Sequence, residues 1–118
     1  MRIGELAAAT GTTNRALRYY EQEGLLHSDR TPAGYRDYPE HTELRVRNIR
    51  ELLAIGFTVS DVRGFLDYLD KPLPPAFVEI NGCATAVQIA RQRIDRLRDR
   101  IETLTRLHDS LAARLDPH

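Results

Sequence analysis

The sequence predicts a mainly helical fold: a helix-turn-helix head with a small β-hairpin wing, followed by a long dimerisation helix of coiled-coil type. Three observations predict it. Two short amphipathic segments at about 3–23 flank the tight turn "TGT". A turn-rich stretch with alternating arms follows at 25–38. A strict 3,4 apolar repeat then runs from Val87 to Leu115.

Ile3, Leu6 and Ala7 recur at helical spacing, and Gly11 stops the first helix. Thr13 is a good N-cap for a second helix from Asn14. At 100° per residue Leu17 and Tyr20 turn inward, while Arg15, Arg18, Tyr19 and Gln22 share the opposite face. Gly24 closes the helix, and Leu25 and Leu26 start an extended arm. "RTPAG" is the turn, and "YRDY" returns with Tyr35 and Asp37 on one side and Arg36 and Tyr38 on the other.

A third helix is expected at about 42–55, with Leu44, Ile49, Leu52 and Leu53 inward and Arg45, Arg47 and Arg50 largely outward. Thr58 and Asp61 start a fourth in the manner of a capping box, its stripe being Val59, Val62, Phe65, Leu66 and Leu69, although Gly64 weakens it. The domain reading is a head at 1–70, a Pro-rich linker at 71–83 and a long helix at 84–115. In that helix Val87, Ala90, Ile94, Leu97, Ile101, Leu104, His108, Leu111 and Leu115 form one seam. It would run roughly 48 Å, too far for a 70-residue head to cover. A second copy of the chain covers it most economically, so a homodimer is expected.

Composition narrows the function class. Seventeen basic residues balance seventeen acidic ones in 118 residues, and the first 70 hold nine Arg against eleven Asp plus Glu. Total charge therefore argues for no nucleic-acid partner, and only local placement can. No apolar run approaches the length of a membrane span, no leader is evident, and a single cysteine points to a reducing cytoplasm. No nucleophile–base pair, carboxylate pair, phosphate-cradling Gly loop or metal-spaced His/Cys cluster stands out. An enzyme is not expected, nor a bound cofactor or metal.

With these pieces in order, the sequence resembles the MerR family of bacterial transcription regulators. "IGELAAATG", "ALRYYEQEGLL", "GYRDY", "RNIRELLAIGFTVSDVRGFL" and the terminal heptad helix carry the resemblance, over essentially the whole chain. It implies a winged helix-turn-helix DNA-binding head and an antiparallel coiled-coil dimer on a pseudo-palindromic element of double-stranded promoter DNA. Members distort that DNA to change its geometry for RNA polymerase, as activators or repressors, which is readout through deformation as much as through base contacts.

On this reading the DNA-binding residues are Thr13, Asn14, Arg15, Arg18, Tyr19, Tyr20, Arg36, Tyr38, Arg45 and Arg47. The arginines would meet phosphates or guanine edges, Tyr19 a phosphate, and Asn14 a base edge. Tyr20 is expected to pack the core with its hydroxyl at the rim. Tyr38 has hairpin packing as its alternative, and Arg45 and Arg47 vary between family members. Dimerisation falls to Ile94, Leu97, Ile101, Leu104, His108 and Leu111, His108 setting register as a polar seam residue.

An effector, a small molecule or a thiol-reactive agent, is assigned to Cys83, Tyr68 and Phe77 where linker meets helix. Cys83 is a structural, redox or metal residue. The resemblance implies a ligand cysteine near this place in the mercury-sensing branch, but a soft-metal site needs two or three thiolates and the sequence supplies one. The sequence as it stands also leaves no room for a separate drug-binding domain. The rival readings are an excisionase-like DNA-bending protein and an interaction coiled coil with a vestigial head.

Overall fold

In a computed structural model, residues 1–77 and 83–116 are described, Cys83 by its backbone alone. The Cys83 side chain named above lies outside the described residues. Helix α1 spans Ile3–Thr10 and begins where the Arg2 amide donates to Glu5 Oε1 at 3.0 Å. It buries Leu6, Ala7 and Thr10, and Thr10 Oγ1 donates back to the Leu6 carbonyl at 2.7 Å. Gly11, at φ 65°, ends it in the left-handed conformation that a side chain resists. Thr13 caps α2, Asn14–Gln22, by accepting from the Ala16 amide at 3.0 Å. Leu17 and Tyr20 are the buried residues of α2, as their spacing predicts.

The wing is shorter than expected. Only β1, Asp29–Arg30, and β2, Arg36–Asp37, pair, antiparallel with Asp29 opposite Asp37 and Arg30 opposite Arg36. Leu25 and Leu26 form no strand because both are fully buried. A strand with one solvent face would send one of two neighbours outward. The return arm is fastened to the start of the chain instead: the Met1 nitrogen donates to the Tyr38 carbonyl at 2.6 Å, and the Tyr38 amide to the Met1 carbonyl at 2.7 Å.

Helix α3, Thr42–Ala54, carries Val46, Ile49 and Leu52 into the core, with Leu44 and Leu53 half-buried. It also buries Asn48, whose amide donates to the carbonyls of Leu69 and Lys71, both at 2.8 Å. A buried polar side chain on this face must be hydrogen-bonded, and here it secures the chain end that leaves the next element.

Thr58 and Asp61 form the expected capping box, with bonds of 2.9 and 3.1 Å. The α-helix they start, α4, lasts only Val59–Val62 and tightens into a 3-10 segment at Arg63–Tyr68. Gly64 lies there against Ile89, and a Cβ on it would overlap the Ile89 side chain. Glycine weakens the α-helix but admits this close approach.

Helix α5 runs Cys83–Leu115, about 50 Å at 1.5 Å per residue. Its first turns belong to the core: Ala86 is fully buried, and Ile89 and Ala90 pack against the same cluster. Phe57, Phe65 and Phe77 meet beside it with ring centroids 5.3–5.8 Å apart. Beyond Arg98 the helix leaves the head, giving overall extents of 71 × 33 × 20 Å. No helix among the described residues is long and apolar enough to cross a membrane.

Candidate nucleic-acid interface

The short α1–α2 turn and the inward anchors Leu17 and Tyr20 force the opposite face of α2 into solvent. Asn14, Arg15, Arg18, Tyr19 and Gln22 are all exposed there. Tyr19 is 45% exposed and Tyr20 7%, with their rings 6.4 Å apart and tilted by 51°. The adjacent tyrosines thus do different jobs, one in the core and one on the surface. Thr13 is spent on its cap.

Behind that face, Glu21 binds α2 to both arms of the wing. Its carboxylate accepts from Ser28 Oγ and, at 2.8 Å, from Arg36 Nε. Partial burial works against the charge, but the hydrogen bonds from Ser28 and Arg36 outweigh it and hold the Glu21 carboxyl below its ordinary pKa. Arg36, expected as a DNA contact, is therefore half-buried and held in place from the protein side.

Tyr38 corrects the sequence reading more sharply. It is 1% exposed, and its hydroxyl is buried with no hydrogen-bond partner among the described residues. Burial, and then the Glu21 charge, push its pKa up. Along "YRDY" Tyr35 and Asp37 are exposed, Arg36 is half-buried, and Tyr38, expected as a DNA contact, enters the core. The outward residue is Tyr35, 58% exposed, with the Arg2 guanidinium 4.5 Å above its ring. Arg30 stands across the hairpin and donates to the Gly34 carbonyl at 3.0 Å. Sequence reasoning passed over Arg2, Arg30 and Tyr35. The period-2 pattern offered two faces, and only Tyr38 entering the core chooses between them.

Of the α3 arginines, Arg47 and Arg50 are exposed as expected, and Arg45 is not. Arg45 points inward: Nε donates to the Leu25 carbonyl at 2.6 Å, and a terminal nitrogen reaches the Leu66 carbonyl at 3.4 Å and Asp70 Oδ1 at 3.1 Å. A helix-wheel reading sends the charge to solvent, whereas three oxygens from three separate segments hold it inside. Arg47 donates to the Ala9 carbonyl and to Glu43, and Arg50 to the Thr10 carbonyl. Both guanidiniums cap the carbonyl end of α1, where a cation is favoured.

Away from this face, the α5 seam is bare. Ile94, Leu97, Ile101, Leu104 and Leu111 are all exposed, Leu111 at 67%. His108 is exposed too, with Nδ1 3.0 Å from Asp109 Oδ1. Helix and head are joined by Arg93 Nε donating to Asp61 Oδ2 at 2.8 Å, both side chains about 15% exposed. Phe77 lines an open groove of about 510 Å³ with Val87, Ala90, Arg91, Ile94, Asp95 and Arg98. Tyr68 is half-buried against the core and does not line that groove. Among the described residues, no three His, Cys, Asp or Glu side chains are grouped to hold a metal ion.

Comparison with known proteins places this architecture. Residues 1–69 match the family model "MerR HTH family regulatory protein", and residues 44–114 match "MerR, DNA binding". Nodulation protein NolA of Bradyrhizobium sp. (strain NC92) is 35% identical over 111 residues, which cover 93% of this chain but 41% of that protein. The chain thus spans about two-fifths of that relative. The mercuric resistance operon regulatory protein of Bacillus cereus is 31% identical, over 93% of this chain and 79% of its own length. Among solved structures, the transcription regulator PbrR691 from Ralstonia metallidurans CH34 in complex with lead(II) superposes with a TM-score of 0.75 at 28% identity, covering 95% of this chain and 82% of that one. The family match at both ends, the helix-turn-helix, the short wing and the long bare helix agree: this chain belongs to the MerR family of transcription regulators.

Proposed function

We propose that two copies of this chain pair through α5, antiparallel, and together bind a pseudo-palindromic promoter element that they distort to regulate transcription by RNA polymerase in the cytoplasm. One observation carries the reading. The solvent-facing arginines of α2 sit on a head fastened to a helix whose apolar seam is left exposed from Ile94 to Leu111 among the described residues. Burying that seam against a second copy fixes the separation of two recognition helices, so half-site spacing becomes a geometric constraint. The heads then grip DNA whose shape must yield to them.

Duplexes selected from a random pool by the purified chain test this directly. A two-fold symmetric site with a hypersensitive, distorted centre in footprinting is the expected result, and Arg18→Ala weakens binding to it with a shallower salt dependence. Selection of no common sequence would reject the reading. An excisionase-like role is weaker because it leaves the long seam without a purpose. Binding that bends DNA but leaves transcription from the selected site unchanged would favour it.

A second reading attaches to the groove beside Phe77, which lies next to the seam residue Ile94. We assign the effector, a small molecule or thiol-reactive agent, to this region together with Cys83. Inducing responses that survive both Cys83→Ser and Phe77→Ala would dismiss that assignment.

A further inference from the structure

We propose that a basin between α1, α2 and the wing is a preformed seat for one backbone phosphate of DNA, gripped by Arg2, Arg18, Arg30 and Arg36. The proposal rests on the DNA-binding reading above and adds Arg2 and Arg30, which sequence reasoning did not select. The basin holds about 270 Å³ and is lined by these four arginines with Ile3, Gly34 and Tyr35. No acidic residue is among its lining. In a chain of zero formal net charge, four guanidiniums converging on one concavity form a local positive field.

The basin is also built. Arg2 stacks over the Tyr35 ring at 4.5 Å, Arg30 is tied to the Gly34 carbonyl at 3.0 Å, and Arg36 is tied to Glu21 at 2.8 Å. Three of the four cations are thus positioned by protein partners before any ligand arrives, which lowers the ordering cost of binding. Of the nearby carboxylates, Glu21 pairs with Arg36 itself through Nε and also takes Ser28, Asp37 takes the Met1 nitrogen at 3.1 Å, and Glu5 takes the Arg2 amide. Guanidiniums match the fork geometry of a phosphate oxyanion. Gly34, without a side chain, leaves the rim on the wing side open to a chain passing over it. Arg18 belongs both to this basin and to the exposed face of α2, so a phosphate seated here lies beside the groove that α2 would enter.

The test uses the full chain and a duplex selected from a random pool, with binding followed by fluorescence anisotropy. At low salt, Arg2→Gln weakens binding on the order of tenfold and lowers the slope of log affinity against log salt by part of the roughly 0.9 that one phosphate contributes, since three arginines remain on it. Arg2→Lys restores part of the loss, and Arg114→Gln in the last turn of α5, equal in charge change, has no such effect. A scan placing one neutral methylphosphonate at a time then finds one position per half-site that weakens wild type clearly more than it weakens Arg2→Gln.

If wild type binds its selected duplex but Arg2→Gln behaves as Arg114→Gln, or no methylphosphonate position couples to Arg2, the seat is overturned while the DNA reading stands. If wild type selects no duplex, both fall. Inorganic phosphate replacing chloride at equal ionic strength leaves the wild-type affinity unchanged on this proposal. Competition by phosphate against wild type and not against Arg2→Gln would assign the basin to a free anion and overturn the backbone assignment.

Discussion

Arg93 on α5 donates to Asp61 on α4 at 2.8 Å, across the joint between the head and the long helix, with both side chains largely withdrawn from water. The same carboxylate oxygen also accepts the Thr58 amide, so one group both caps α4 and anchors α5. Burial raises the cost of the Asp61 charge, but the bonds from Arg93 and Thr58 prevail and lower its pKa from an ordinary 3.8. A depressed carboxyl pKa stabilises the fold above the unfolded value, and that contribution disappears as the pH falls through the folded value. Asp61→Asn is expected to cost about 1–3 kcal/mol at pH 7. Urea titrations should show this difference narrowing as the pH is taken below 3.8. A gap that stays constant well below pH 3.8 would dissociate the pair from stability.

Gly64 and Ile89 make the second contact across the joint. Gly64→Ala forces a methyl into space that Ile89 occupies and should destabilise the chain by about 1–3 kcal/mol. Ile89→Ala alone leaves a cavity and costs about 2–4 kcal/mol. In the double variant the added methyl partly fills that cavity, so the two costs add to less than their sum. Full additivity in a double-mutant cycle would mean that the contact does not govern packing here.

Arg45 and Arg18 should separate cleanly. Arg45→Ala removes the donor shared by the Leu25 and Leu66 carbonyls and Asp70, and is expected to lower stability by about 2–4 kcal/mol. DNA affinity per folded molecule should stay as it was. Arg18→Ala, fully on the surface of α2, should do the reverse: little change in melting temperature and a large loss of binding. The same measurement on both variants would expose an exchange of roles.

The seam gives a prediction about assembly. Ile101→Glu places a charge at an exposed position that a partner helix would bury. Sedimentation should then report monomer at concentrations where the wild-type chain is dimeric, with the helix-turn-helix head still folded because Ile101 lies beyond its core. Unchanged association would mean that the chain pairs through another surface.

Local chemistry was legible in the residues themselves. The Gly11 stop, the Thr13 and Thr58 caps, the inward Leu17 and Tyr20, and the length of α5 follow from spacing and backbone preference within a few residues. Those are short-range interactions, complete inside one turn or one helix face. The exposed arginines of α2 were legible for the same reason, since a helix with one apolar stripe has its other face determined.

What only the tertiary structure decided is where a charged or aromatic side chain finds a partner far along the chain. Arg45 looks identical to Arg18 on a helical wheel, yet carbonyls 20 and 21 residues away capture it. Tyr38 and Tyr35 are interchangeable in an alternating strand until the pairing of Tyr38 with Met1 turns one side of the wing into the core. The hairpin shrank because Leu25 and Leu26 both had buried places to fill. The basin of four arginines brings together residues from three elements, none adjacent to another in sequence. Spacing records which groups share a face. Which face meets water is settled by burial and hydrogen bonding summed over the whole molecule, and there a single long-range contact outweighs the local pattern.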